Sequence, residues 1–127
     1  MSDEVAGPHD PARLPAKPEV GPEPFEALDL RIGRVVGVED FPEARRPAYK
    51  LTVDFGPVLG RRQTSAQVTN YPPEQLLGRQ VVGALNLGER RIAGFVSEFL
   101  VLGGLEADGT VRLLQPDAAL PEGARVA

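Results

Sequence analysis

Arginine pairs at Arg45-Arg46, Arg61-Arg62 and Arg90-Arg91, together with Lys50 and the polar run Gln63, Ser65 and Gln67, are the residues of this chain best suited to chemistry. A guanidinium carries a planar fork of donors that matches phosphate oxygens, and neutral amides and hydroxyls add further hydrogen bonds to a backbone of that kind. Lys50, Arg61, Arg62, Gln63, Ser65, Gln67, Arg90 and Arg91 are therefore candidates for binding a nucleic-acid backbone. Genomic base composition favouring arginine codons would produce the same pairs without any ligand.

Catalysis has few residues to draw on. The chain has no cysteine, and its single histidine, His9, lies in a proline-rich stretch. Thiol chemistry, Ser–His relays and His/Cys zinc sites are therefore excluded. Carboxylates at Glu39-Asp40, Glu106 to Asp108 and Glu122 are scattered near turns, which suits solvated charge better than paired acid–base work. No glycine-rich phosphate loop is present. The chain reads as a binding protein and not an enzyme, with no catalytic residues, cofactor or metal.

These side chains need a scaffold. Tyr49 to Phe55 alternates strictly, with Tyr49, Leu51, Val53 and Phe55 apolar and Lys50, Thr52 and Asp54 polar, which predicts a half-buried strand. Arg31 to Glu39 is β-rich but changes phase around Gly33 and Gly37, as a long first strand bent by bulges would. Arg61 to Val68 predicts a third strand with Gln63, Ser65 and Gln67 on its polar face. Pairing Phe55 near Arg62 sets Val53, Leu51 and Tyr49 against Thr64, Ala66 and Val68 on one face. A short helix over Pro72–Gly78 follows, opened by proline and closed by glycine. Gln80 to Leu85 and Ser97 to Leu102 supply the fourth and fifth strands, and Val111 to Leu114 and Ala124 to Val126 short additions. Three strands, a helix and two strands is the order of an OB-fold: an all-β, five-stranded barrel with a short helix between strands 3 and 4 and small C-terminal strand additions.

The fifth strand raises a question of cover. Phe99 and Val101 point one way and Leu100 and Leu102 the other, so neither face is polar. One side serves the core, and a partner chain or a bound apolar segment is the expected cover for the other. Phe99, Leu100, Val101 and Leu102 are thus candidates for that contact. Gly94 and Gly103-Gly104 are read as serving turns or bulges, not ligands.

Composition divides the 127 residues in two. Six of the 13 prolines, Pro8, Pro11, Pro15, Pro18, Pro22 and Pro24, precede Phe25, among acidic residues and few large apolar ones. Residues 1–24 are expected to be a disordered acidic leader, and 25–127 the folded domain. The leader carries most of the net charge of −4, leaving a nearly neutral body. No signal peptide or transmembrane stretch is recognisable, so a cytoplasmic location without membrane insertion is expected.

Longer stretches then become recognisable. Phe25-Glu26-Ala27-Leu28-Asp29-Leu30-Arg31-Ile32-Gly33 resembles the opening of the tRNA-binding domain appended to some aminoacyl-tRNA synthetases. Phe41-Pro42-Glu43-Ala44-Arg45, Lys50 to Gly56, Ser65 to Thr69, Arg90 to Gly103 and Leu113 to Asp117 together resemble the CsaA-type chaperones of that superfamily. The resemblance implies a homodimeric OB-fold, related to protein export, that holds unfolded precursor polypeptides without ATP, with Phe99, Leu100, Val101 and Leu102 as dimer-interface candidates and Phe95 and Phe99 as peptide-binding candidates. A tRNA- or structured-RNA-binding module working through the basic and polar groove is the alternative, and a structural dimer with no ligand is a third. Val68-Thr69-Asn70 before Tyr71 lacks a basic residue common in the family, and Glu89 adds negative charge beside Arg90, so both depart from an RNA site.

Overall fold

The computed structural model describes residues 7–127. Helix α1 (Glu23–Ala27) leads into β1 (Leu30–Asp40), β2 (Tyr49–Asp54), a one-turn helix α2 (Gly56–Leu59), β3 (Arg61–Ala66), α3 (Pro73–Leu76) and β4 (Gln80–Ala84). Five short strands complete the chain: β5 (Arg90–Ile92), β6 (Phe95–Ser97), β7 (Leu100–Val101), β8 (Gly103–Leu105) and β9 (Val111–Leu113). The five-stranded antiparallel sheet has the order β3-β2-β1-β4-β7 and curls into a nearly closed barrel, the expected all-β OB-fold architecture.

Curling depends on β1. Its first half pairs with β4, from Leu30 opposite Ala84 to Arg34 opposite Gln80, and its second half pairs with β2. A bulge between Val35 and Gly37 lets one strand serve both walls. Gly33 has a different task. A Cβ there would lie 2.5 Å from Val53 Cγ1 and 2.6 Å from Phe55 Cε1, and one at Gly83 would lie 2.8 Å from Phe55 Cζ. Both glycines make room for the Phe55 ring, which meets Phe99 edge-on at 5.0 Å. Leu51, Val53, Leu76 and Val81 are completely buried around this pair.

The β2–β3 register differs from the sequence expectation by two residues. Val53 faces Arg62, Leu51 faces Thr64 and Tyr49 faces Ala66. Phe55 N–H bonds Gly60 O across α2, so the connection closes earlier than assumed. A two-residue slip keeps every side chain on its face, and apolar alternation is blind to it. The fifth strand is also corrected. Ser97 to Leu102 is interrupted at Glu98-Phe99: β6 turns back on β5 as a hairpin, whereas β7 joins β4. β9 fills the expected addition at Val111–Leu114 and pairs with β8, whose Gly103-Gly104 was read as a turn or bulge, but residues 124–126 form only one bridge, Arg31 to Arg125.

That tail nevertheless dresses β1. Ile32 N–H bonds Ala124 O, Gly123 N–H bonds Ile32 O, and Val126 N–H bonds Leu30 O. Arg34 pairs with Glu122 at 3.1 Å, while the buried Gln80 amide both accepts from Leu120 N–H and donates to Leu120 O. At the other end of the chain, His9 N–H bonds Ala107 O. From Pro11 to Leu28 every residue is exposed, with one 3-10 turn at Pro11–Arg13 and then α1, which straddles the expected domain boundary.

Candidate ligand-binding face

Pleating turns Lys50, Thr52 and Asp54 of β2 outward, opposite Ser65, Gln63 and Arg61 of β3. Lys50 stands at one end of this face. Its Nζ lies 4.9 Å from the Phe41 ring centroid and 5.3 Å from that of Phe95, and the two rings meet edge-on at 5.4 Å. Phe41 comes from the β1–β2 connection and is buried, and Phe95 comes from the hairpin and is half-buried. The rings fix the ammonium without neutralising it. Among the described residues the ion pairs are Arg31–Asp29, Arg34–Glu122 and Arg112–Glu106, so Lys50 has no carboxylate partner.

The rest of the expected set divides. Lys50, Ser65 and Gln67 belong to the face or its exposed margin, and Arg61 stands at its far end. Arg62 points the other way and reaches Leu85 O at 3.4 Å, closing the barrel. Gln63 is half-buried, and its Nε2 donates to Val96 O at 2.9 Å. Arg90 and Arg91 are exposed on β5, but consecutive strand residues leave opposite faces, so this pair does not act as one cationic patch. The same alternation separates Arg61 from Arg62. Phe99 needs the clearest correction: only 4% exposed and edge-on to Phe55, its ring belongs to the core and is offered to neither peptide nor partner. Leu100 is outward-facing and 52% exposed, and Val101 and Leu102 are half-buried.

Where β6 meets β3, side chains replace much of the ladder. Glu98 N–H bonds Gln63 O at 2.8 Å, and Gln63 N–H answers to the Glu98 carboxylate at 2.9 Å. Ser65 N–H bonds Ser97 Oγ at 3.2 Å, while the Thr64 hydroxyl donates to Phe99 O at 2.7 Å. Thr64 has one proton, so the 2.9 Å contact between the two hydroxyls needs Ser97 as donor. Sequence reasoning placed Thr64 on the inner face but gave no role to it, to Ser97 or to Glu98, since the bonds among them form only once the hairpin is set against β3. Asn86 was also missed: its amide accepts from Asp29 N–H and donates to Ala27 O, fastening the entry to β1.

Concavity touches this face only at its far end, at Asp54. Open depressions of about 460 and 470 Å³ lie beside Arg79 and Asp117 and beside Asp54 and Glu122. An outer sheet face with a fixed cation and neighbouring hydroxyls and amides is suited to an extended or polyanionic ligand more than to an enclosed small molecule.

Residues 30–125 match the model of the putative tRNA binding domain family. The chain belongs to that family. This tRNA binding domain is 50% identical to the chaperone CsaA of Bacillus anthracis, over 87% of this chain and 100% of that one, with a TM-score of 0.82. The CsaA chaperone protein of Picrophilus torridus is 40% identical over 86% of this chain and 100% of its own, with a TM-score of 0.81. Methionine–tRNA ligase 1 of Sorangium cellulosum is 38% identical over 115 residues, 91% of this chain but 16% of the ligase. The tRNA binding domain thus spans about a sixth of the length of the curated relatives it matches. Among its described residues no helix is long and apolar enough to cross a membrane.

Proposed function

We propose that this protein is a CsaA-like, export-related chaperone that binds unfolded precursor polypeptides without ATP, as a cytoplasmic homodimer and without catalysis. The observation that carries the reading is the likeness to two CsaA chaperones over their whole length, where the methionine–tRNA ligases share only a small part of theirs. Half-buried Phe95 beside Phe41 offers apolar contact at the outer face, and exposed Leu100 with half-buried Val101 and Leu102 offers a seam for a second copy. Titration of the full chain with a reduced, carboxymethylated polypeptide, with mass followed by light scattering, tests both parts. Salt-resistant binding by a dimer is expected. A monomer without polypeptide binding would overturn the reading.

A second reading, binding of tRNA or structured RNA, is favoured by one observation: Lys50 is a positioned, unpaired cation beside Ser65 on the outer face. Phe41, Tyr49, Phe55, Tyr71 and Phe99 are all buried, so few aromatic platforms remain for stacking bases. Recognition would then rest on phosphates and RNA shape. Such binding weakens by about 0.7–0.9 log units per log unit of salt for each phosphate neutralised. Bulk tRNA at two salt concentrations separates this reading from the first.

A further inference from the structure

The seam between β3 and the β5–β6 hairpin is built differently from the four laddered strand pairs of the five-stranded sheet. Gln63 and Ser65 turn their main-chain groups away from β2, toward the hairpin. The groups that answer are the Glu98 carboxylate, the Ser97 hydroxyl and one main-chain donor, Glu98 N–H. A carboxylate and a hydroxyl occupy positions where carbonyl oxygens of a neighbouring strand would sit. Strand pairing requires only main-chain donors and acceptors at regular spacing, so any extended polypeptide carries the groups to replace them.

We propose that the β5–β6 hairpin is a clamp able to leave β3, and that an extended segment of unfolded polypeptide takes its place along Gln63–Ser65. The proposal deepens the chaperone reading, on which it rests, by naming the site and the mode of capture. β7 remains on β4 through Gly83–Val101 and Ala84–Leu100, so the hairpin can swing about Glu98-Phe99 without dissolving the sheet. Its other fastenings are the Gln63 Nε2 bond to Val96 O, the Thr64–Ser97 hydroxyl contact and the Phe41–Phe95 ring contact, and departure of Phe95 would bare Phe41 beside the vacated edge as an apolar contact for the incoming chain. Main-chain pairing with one adaptable apolar contact suits clients of unrelated sequence. The ligand class is therefore extended polypeptide, selected by absence of structure.

An equilibrium between closed and open hairpin reduces apparent affinity by the open fraction, so loosening the seam tightens client binding. Ser97→Ala removes the acceptor for Ser65 N–H and the donor to Thr64 while leaving the main chain unchanged. The full-length variant is expected to bind reduced, carboxymethylated α-lactalbumin about five-fold more tightly than the parent, in line with a similar rise in open fraction. A merely structural Ser97 predicts unchanged or weaker binding, and that outcome in a folded variant overturns the clamp while leaving the chaperone reading in place. No binding by either protein overturns both. Hydrogen exchange on the parent decides the matter if the variant fails to fold. The Ser65 and Glu98 amides should exchange faster than those of the β1–β2 ladder, and the Ser65 amide should become protected when the polypeptide is added. Exchange only through global unfolding, or no added protection, overturns the proposal.

Discussion

The β1–β2–β3 meander and the seam that closes the barrel share β3 but are held by different forces. In the meander, pairing runs through six consecutive residues from Tyr49–Ala66 to Asp54–Arg61, above a completely buried row of Leu51 and Val53. At the seam, Thr64, Ser97, Glu98 and Gln63 share the closure among hydroxyls, an amide and a carboxylate. A continuous ladder over a dry core is cooperative, and its loss is global. Side-chain bonds at a strand edge can exchange with water or with another chain one at a time, so stability and adaptability are assigned to opposite walls of one barrel.

The contrast is most sharply tested on the meander side. Phe55→Ala removes the ring that fills the space left by Gly33 and Gly83 and on which Phe99 leans, and is expected to cost about 3–5 kcal/mol. Urea unfolding should show it as a lower midpoint. A loss under 1 kcal/mol would mean that the ring does not organise the core. On the seam side, Thr64→Val keeps shape but leaves Phe99 O and the Ser97 hydroxyl without their partner, at an expected cost of about 1–3 kcal/mol. If the two variants were equally damaging, the division between the walls would fall.

The hairpin tip offers a change of opposite sign. Ile92 pairs with Phe95 across a two-residue loop in which Ala93 has φ 48° and Gly94 φ 82°, the left-handed pair of a type I′ turn. Alanine is strained there, by about 1–2 kcal/mol, whereas asparagine adopts that conformation readily. Ala93→Asn should raise thermal stability by up to about 1 kcal/mol, and a fall would show that the hairpin tip is shaped by contacts other than its own turn. A smaller effect still is expected from Lys50→Gln, since the ammonium packs on rings at the surface. The midpoint of unfolding should stay nearly constant, while any tRNA binding should lose about one unit of its logarithmic salt dependence. An unchanged slope would remove Lys50 from the phosphate contacts.

Legibility in the sequence follows the same boundary. Strict alternation over Tyr49–Phe55 determines the face of every residue in β2, and the order of strands and helix predicts the barrel, because burial in a continuous sheet leaves a periodic mark. Register escapes by two residues, since a slip of that size preserves the mark. The seam leaves no periodic trace. Ser97 and Thr64 carry the same polar letters whether they face water or each other, and the interruption at Glu98-Phe99 hides inside a run that reads as one strand. Arginine pairs mislead for a related reason: adjacency in sequence suggests a patch, whereas alternation sends Arg62 to Leu85 O and leaves Arg61 in solvent.

The β8–β9 turn belongs to neither wall and calibrates the comparison. The Asp108 carboxylate accepts from Thr110 N–H at 2.9 Å, and this bond, with help from the Thr110 side chain, holds its pKa below the ordinary carboxylate value. A folded-state pKa below that of the unfolded chain stabilises the turn above the ordinary value, and the contribution disappears as pH falls through that range to the folded pKa. Asp108 is fully exposed, so the gain is small and screened by salt. Asp108→Asn should therefore differ slightly from the parent in urea midpoint near about pH 6, and the difference should shrink toward about pH 3 as the Asp108 carboxylate takes up its proton. The seam variant Thr64→Val contains no titrating group at the altered position, and its deficit should persist between those pH values. A deficit that vanished with acid would overturn the assignment of Thr64 to an uncharged hydroxyl closure with Ser97 and Phe99 O.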